Sequence, residues 1–339
     1  MKFITPALQF SALSVLSTTI AATPNPIAGS NNLTVRDPAI WYNPELQKYI
    51  VLSTSDKINI STSISLTGSA VSSLNLSFLR IPWTTIGPAL PNSSKINITG
   101  HLEAPDVKFV NGLYTMYYSV STAGSQKSAI GVATSPTMSS GNWTDLGEVI
   151  SSAPGYHFNA IGPDLFNDNG SLRLSFGSCW DGMYQIGIGP GLKNHTSLPG
   201  TKIAGHRNRS AEGPVVYKPS DQPYYYCFFT DGKTPLIGEP RPPVDEVYKI
   251  IMGHGKDVQG PFYDKLGNDL TKNTTVGTIL LASHGDVFAP GAPSIISDPN
   301  SGRDVMAYRF INKSDPPHGP SYLGINYLDF SSGWPVVVD

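Results

Sequence analysis

Charge is scarce in this chain. Of its 339 residues only 14% are Asp, Glu, Lys or Arg, and they balance to a net charge of −2. Nothing in that balance would draw the chain to nucleic acid or to an anionic membrane surface, and a neutral partner fits better. There are only two cysteines, Cys179 and Cys227, too few for a disulfide framework or a metal site of their own. Both lie in aromatic, strand-like surroundings, so they read either as two buried thiols or as one bridge between neighbouring sheets. The histidines His206, His284 and His318 are scattered and form no series with metal-ligand spacing. After residue 22 no apolar run approaches the length of a membrane helix, which leaves no membrane partner in view. No Gly/Ser or Pro/Thr linker interrupts residues 23–339, so one domain is expected.

Residues 1–22 differ from the rest. Lys2 is followed by an apolar stretch through Ile20, and Thr19-Ile20-Ala21 makes a small-residue cleavage site. This is the pattern of a secretory signal peptide. Eleven Asn-x-Ser/Thr sequons follow, at Asn32, Asn59, Asn75, Asn92, Asn97, Asn142, Asn169, Asn194, Asn208, Asn273 and Asn312. That density behind a signal peptide points to a secreted, extracellular glycoprotein. Export favours the Cys179–Cys227 bridge over two free thiols.

What is abundant is Gly (33), Pro (29) and Tyr (16), with few long amphipathic runs, a mixture that argues for many short strands. Residues 107–110 and 113–120 flank Asn111-Gly112, the strongest short-range hairpin signal, and a third strand follows at 128–134. The same unit recurs around Asn167-Asp168-Asn169-Gly170, Pro219-Ser220-Asp221 and Pro299-Asn300-Ser301-Gly302, and residues 39–42 and 49–53 begin the series. About five such units, roughly 50 to 80 residues apart, predict an all-β, five-bladed β-propeller of four-stranded blades. A two-sheet sandwich with long loops is the alternative.

Each unit opens on a turn rich in small residues and Pro, and most of these turns carry an acid. They are Arg36-Asp37-Pro38, Glu103-Ala104-Pro105-Asp106, Asn159-Ala160-Ile161-Gly162-Pro163-Asp164, Glu212-Gly213-Pro214 and Phe288-Ala289-Pro290-Gly291-Ala292. With the stretch 117–131, Ser178-Cys179-Trp180-Asp181-Gly182, Leu323-Gly324-Ile325-Asn326 and Gly333-Trp334-Pro335, these motifs resemble glycoside hydrolase family 43, in particular its arabinan endo-1,5-alpha-L-arabinanases. The resemblance spans the mature chain and its motifs arrive in family order.

The resemblance implies a secreted, monomeric glycosidase that cleaves alpha-1,5-L-arabinan of the plant cell wall with inversion. Asp37 would be the general base and Glu212 the general acid. Arg36, Glu103, His157, Phe158, Asn159, Trp180 and Asp181 would bind substrate, and Asp106 would be structural. The family carries an aspartate that raises the acid's pKa where this chain has Gly162. Asp164, two residues on and roughly 7 Å along the same strand face, is the nearest substitute. Where the family has His, Trp and Gly-Pro-Gly-His, this chain has Arg36, Glu103 and Pro290-Gly291-Ala292, and Ala123 stands for an aromatic. Without that last histidine, which helps hold an ion in the central channel, no cofactor and no tight metal site are expected, at most a weak, water-rich calcium site. These departures keep two further readings open: a paralogue that binds such glycans without cutting them, and a hydrolase of another pentose or galactose polymer.

Overall fold

The computed structural model describes residues 22–67, 69–70, 79–80, 83–207, 209–235, 239–272, 277–316 and 319–339. The leader up to residue 21, the sequons at Asn75, Asn208 and Asn273, and His318 lie outside the described residues. Among those described, no helix is long and apolar enough to cross a membrane.

The chain forms five four-stranded antiparallel sheets in sequence order. The first holds β1 (Ala39–Asn43), β2 (Lys48–Ser53), β3 (Asn59–Ser63) and β6 (Thr84–Pro88), with the short pair β4 (Ser69–Ala70) and β5 (Leu79–Arg80) inserted before its last strand. The second holds β7 (His101–Val110), β8 (Leu113–Ser121), β9 (Ser128–Ser135) and β10 (Thr144–Ser152). The third holds β11 (Asp164–Asp168), β12 (Ser171–Phe176), β13 (Met183–Ile188) and β14 (Thr201–Ala204). The fourth holds β15 (Ala211–Tyr217), β16 (Tyr225–Asp231), β17 (Lys249–Gly255) and β18 (Thr278–Leu281). The fifth holds β19 (Val287–Asp298), β20 (Arg303–Asn312), β21 (Ser321–Asp329) and β22 (Val336–Val338). The first strands touch in a closed ring, β1 to β7, β7 to β11, β11 to β15, β15 to β19 and β19 back to β1. This is the five-bladed propeller.

Burial explains why its middle strands read as apolar runs rather than alternations. Each blade packs both faces against neighbours, so both side-chain sets are largely hydrophobic. Five cores fill the gaps between blades, for example Leu52, Ile60, Met116 and Tyr118 between the first two and Tyr226, Met252, Met306 and Tyr308 between the last two. The hairpin turns follow from local chemistry. Asn111 and Gly112 sit at φ 53° and 82°, Asn169 and Gly170 at 50° and 94°, the left-handed pair that a type I′ turn requires.

Both cysteines are free, which corrects the expected bridge. Cys227 pairs with Val216 on β15 and is buried between the third and fourth blades, whereas the Cys179 amide bonds the Ala211 carbonyl. Those anchor points are five residues apart along β15, on the order of 15 Å of extended chain, and a disulfide needs Cα atoms within about 7 Å.

Candidate active site

The inner ends of all five blades surround a cleft of about 1070 Å³. The turn before β1 delivers Asp37, held at φ 46° ahead of Pro38. A non-glycine residue in this conformation costs on the order of 1–3 kcal/mol, and such strain gathers at functional sites. The Thr54 hydroxyl donates to Asp37 Oδ2 at 2.6 Å, and the Thr54 amide donates to the Arg36 carbonyl at 2.8 Å. The start of the first blade is thereby fixed to the end of β2.

The Glu212-Gly213-Pro214 segment, a turn by sequence, lies inside a strand, with Glu212 the second residue of β15. The pairing of β15 with β16 shifts register between Glu212 and Val215, and this bulge turns the carboxylate into the cleft. Ser178 Oγ donates to Glu212 Oε2 at 2.8 Å, and the Tyr248 hydroxyl bonds Oε1. Burial raises the Glu212 pKa above the ordinary carboxylate value. The Ser178 bond opposes that shift, nearby Asp37 adds to it, and Arg309 and Arg36 oppose it. That direction favours the protonated carboxyl, the form a general acid needs. Arg309 is buried, donates to Thr234 Oγ1 at 2.5 Å and stacks 5.0 Å above the Tyr248 ring.

Arg36, Glu103, His157, Asn159, Trp180 and Asp181 all line this cleft with Asp37 and Glu212. Trp180 is half-buried on a left-handed turn at φ 39°, and Asp181 beneath it accepts from Tyr184 at 3.0 Å and Lys202 at 3.1 Å. Phe158 does not reach the cleft. It is 4% exposed and packs edge-on against Phe176 and Tyr184 in the core between the second and third blades, which corrects its reading as a sugar contact.

Asp164 also lies away from the lining. It accepts from the Val216 amide at 2.9 Å and pairs with Lys108 at 3.4 Å, and burial pushes its pKa up to about 7 against the pull of that lysine. Asp106 shares Lys108 and accepts from the Leu165 amide at 2.8 Å. These acids pin the second, third and fourth blades together. Gly162 does line the cleft, at φ 63°.

At the fifth blade, Ala292 sits at φ 52° and its amide donates to Thr230 Oγ1 at 2.8 Å, so this position offers a methyl group where an ion would need a ligand. Among the described residues no group of three or more His, Cys, Asp or Glu could hold a metal. The residues present do not fit a tight ion site. Sequence reasoning missed Thr54, Ser178, Tyr248 and Arg309. Ser178 alone carried a signal, as the first residue of the Ser-Cys-Trp-Asp-Gly motif.

The model of glycosyl hydrolases family 43 matches residues 24–335. The chain is 37% identical over 340 residues to arabinan endo-1,5-alpha-L-arabinosidase A of Aspergillus aculeatus, covering 97% of this chain and 100% of that protein. Among solved structures, an endo-arabinanase from Bacillus licheniformis superposes with a TM-score of 0.76 at 29% identity, covering 91% of this chain and 99% of that one. An exo-1,5-alpha-L-arabinanase from a bovine ruminal metagenomic library gives 0.76 at 26% identity, covering 92% and 99%.

Proposed function

This chain belongs to glycosyl hydrolases family 43, and on that premise we propose that it cleaves alpha-1,5-L-arabinan with inversion. Glu212 protonates the leaving glycosidic oxygen, and Asp37 draws a proton from the water that attacks the opposite face of the sugar. The observation that carries this reading is the pairing of two differently held carboxyls in one cleft. Glu212 is desolvated, which favours its acid form, while Asp37 is fixed at the strained start of the first blade by Thr54. His157, Asn159, Trp180 and Asp181 supply the sugar platform and its polar contacts.

The described sequon asparagines are exposed at Asn32, Asn59, Asn92, Asn97, Asn142, Asn169 and Asn194 and half-buried at Asn312, open to glycans on a secreted monomer that meets plant cell-wall polysaccharide. Gly162 favours a second reading, a protein that binds such glycans without cutting them, since the family resemblance places an aspartate there.

Incubation with linear arabinan, branched arabinan, arabinoxylan and galactan decides between them. Chromatography should show arabino-oligosaccharides from linear arabinan, with Asp37→Asn and Glu212→Gln inactive, and NMR of the first product should show the inverted anomer. Products from galactan or arabinoxylan alone would move the substrate assignment. Binding without products would establish the second reading.

A further inference from the structure

Tyr156 lines the cleft and is 50% exposed. Its ring meets one other ring, that of Phe158 at 5.5 Å and 60°, and among the described residues its hydroxyl has no hydrogen-bond partner. Tyr248, in the same cleft, is by contrast buried, bonded to Glu212 and covered by Arg309. A single exposed tyrosine is ordinary on a protein surface. What sets this one apart is how it is held.

Residues Ala153-Pro154-Gly155-Tyr156 form a turn, closed by the Tyr156 amide on the Ala153 carbonyl at 3.1 Å, with Gly155 at φ 95°. Proline at the second position and a positive-φ glycine at the third are what a type II turn favours. Beneath this turn lies Gln126, from the link between β8 and β9, at 7% exposure. Its Nε2 donates to the carbonyls of Tyr156 at 2.6 Å and Phe158 at 3.0 Å, and its Oε1 accepts from the Gly155 amide at 3.1 Å. The whole amide of a buried glutamine is thus engaged in fixing the backbone that carries Tyr156. The Phe158 ring that braces it is itself set edge-on against Phe176 and Tyr184 in the core. An aromatic ring held in this way loses little further freedom when a ligand covers it.

Resting on the reading of this cleft as a glycan site, we propose that Tyr156 forms an outer sugar subsite, where a unit of the bound chain beyond those at the catalytic carboxyls lays the apolar face of its ring. A neutral pentose has a C–H face and a rim of hydroxyls, and tyrosine offers the matching pair, an apolar ring face and a free phenolic hydroxyl. The subsite continues the catalytic wall. At its inner end stands Gly162, where an added Cβ would lie 3.2 Å from the Gly213 Cα, next to Glu212. Six residues of chain lead from there to Tyr156, at most about 20 Å of extended backbone, a reach of a few sugar units. Asn159 and Ile161 line the cleft between them. A chain long enough to cover this wall therefore gains a contact that a short fragment does not.

Calorimetric titration of the Glu212→Gln chain with linear arabinotriose and arabinohexaose reads binding without turnover. Adding Tyr156→Ala should weaken arabinohexaose about tenfold and arabinotriose less than about twofold, with Tm unchanged. Tyr156→Phe, which keeps the ring, should hold the arabinohexaose affinity to within about threefold. In the chain that retains Glu212, Tyr156→Ala should lower kcat/KM by a factor that grows with oligomer length. Unchanged arabinohexaose affinity overturns the subsite even if arabinan is cut, and so does equal weakening of both oligomers, which would put Tyr156 at the catalytic units. A length-dependent loss of binding in a protein that cuts nothing upholds the subsite and overturns the hydrolase reading. If neither oligomer binds, the arabinan reading falls and the subsite falls with it.

Discussion

Ser178 and Gly162 show how single residues set the acid's behaviour. The Ser178 hydroxyl stabilises ionised Glu212, so it works against the protonated form that the proposed acid role requires. Ser178→Ala should raise the Glu212 pKa and move the alkaline limb of the pH–rate profile upwards by about one unit, since a hydrogen bond to a charged group is worth roughly 1.5 kcal/mol. A limb that stays or falls would show that Ser178 positions the carboxyl without tuning it. Gly162→Asp looks, from sequence alone, like a repair of the missing aspartate. The structure argues otherwise, because the new side chain would meet the Gly213 Cα at 3.2 Å on a left-handed backbone. We expect it to cost about 1–2 kcal/mol in urea unfolding and to leave kcat no higher. A gain in kcat without loss of stability would contradict this. Ser178 and Gly162 stood in recognisable motifs, but Thr54, Tyr248 and Arg309 lie 17, 36 and 97 residues from the carboxylates they touch or face, in segments that bear no motif.

At the scale of elements, the repeating unit was legible because it rests on local chemistry. Asn-Gly turns impose their hairpins, and the middle strands, buried on both faces, are mostly apolar. The outermost strands were harder to see. β14 and β22 have four and three residues, and β6 is exposed along most of its length, so edge position rather than composition defines them. The turns bearing Asp37, Glu103 and Glu212 were found, yet Asp164 and Phe158 were misplaced for the same reason. A strand that leaves the cleft becomes core within two or three residues, and sequence does not mark where. Asp164 is the joint between blades, holding the Val216 amide and Lys108. Asp164→Asn should destabilise the fold by about 2–4 kcal/mol, since it leaves the half-buried Lys108 with one carboxylate instead of two. The pH profile of the surviving activity should not move. An alkaline limb displaced by more than about half a unit would return Asp164 to the acid's environment.

On the scale of the whole molecule, a propeller has to close, and here the closing element is the segment ahead of the first blade. The Ile27 amide donates to the Ile325 carbonyl at 2.8 Å, Val35 to Ser321 at 3.0 Å, and Leu323 back to Leu33 at 2.9 Å, while Asn326 Nδ2 donates to the Asn25 carbonyl at 3.0 Å. Leu33 and Val35 are buried in the core shared by the fifth and first blades. A leader removed near residue 22 would leave every one of these contacts in place. The clasp also reaches the chemistry, because Arg36 and Asp37 follow Val35 directly. A chain beginning at residue 36 should therefore lose stability and catalysis together. Burial of two aliphatic side chains at roughly 1.5–3 kcal/mol each, with the lost hydrogen bonds, amounts to about 5 kcal/mol. For a chain of this size that corresponds to a fall in Tm of about 7 °C. Calorimetry of chains 23–339 and 36–339 tests the first part, and kcat on linear arabinan at a temperature where both remain folded tests the second. If the shorter chain melts within about 3 °C of the longer, the ring is held by its blade interfaces alone. If it melts early but keeps its kcat, Thr54 alone is enough to hold Asp37.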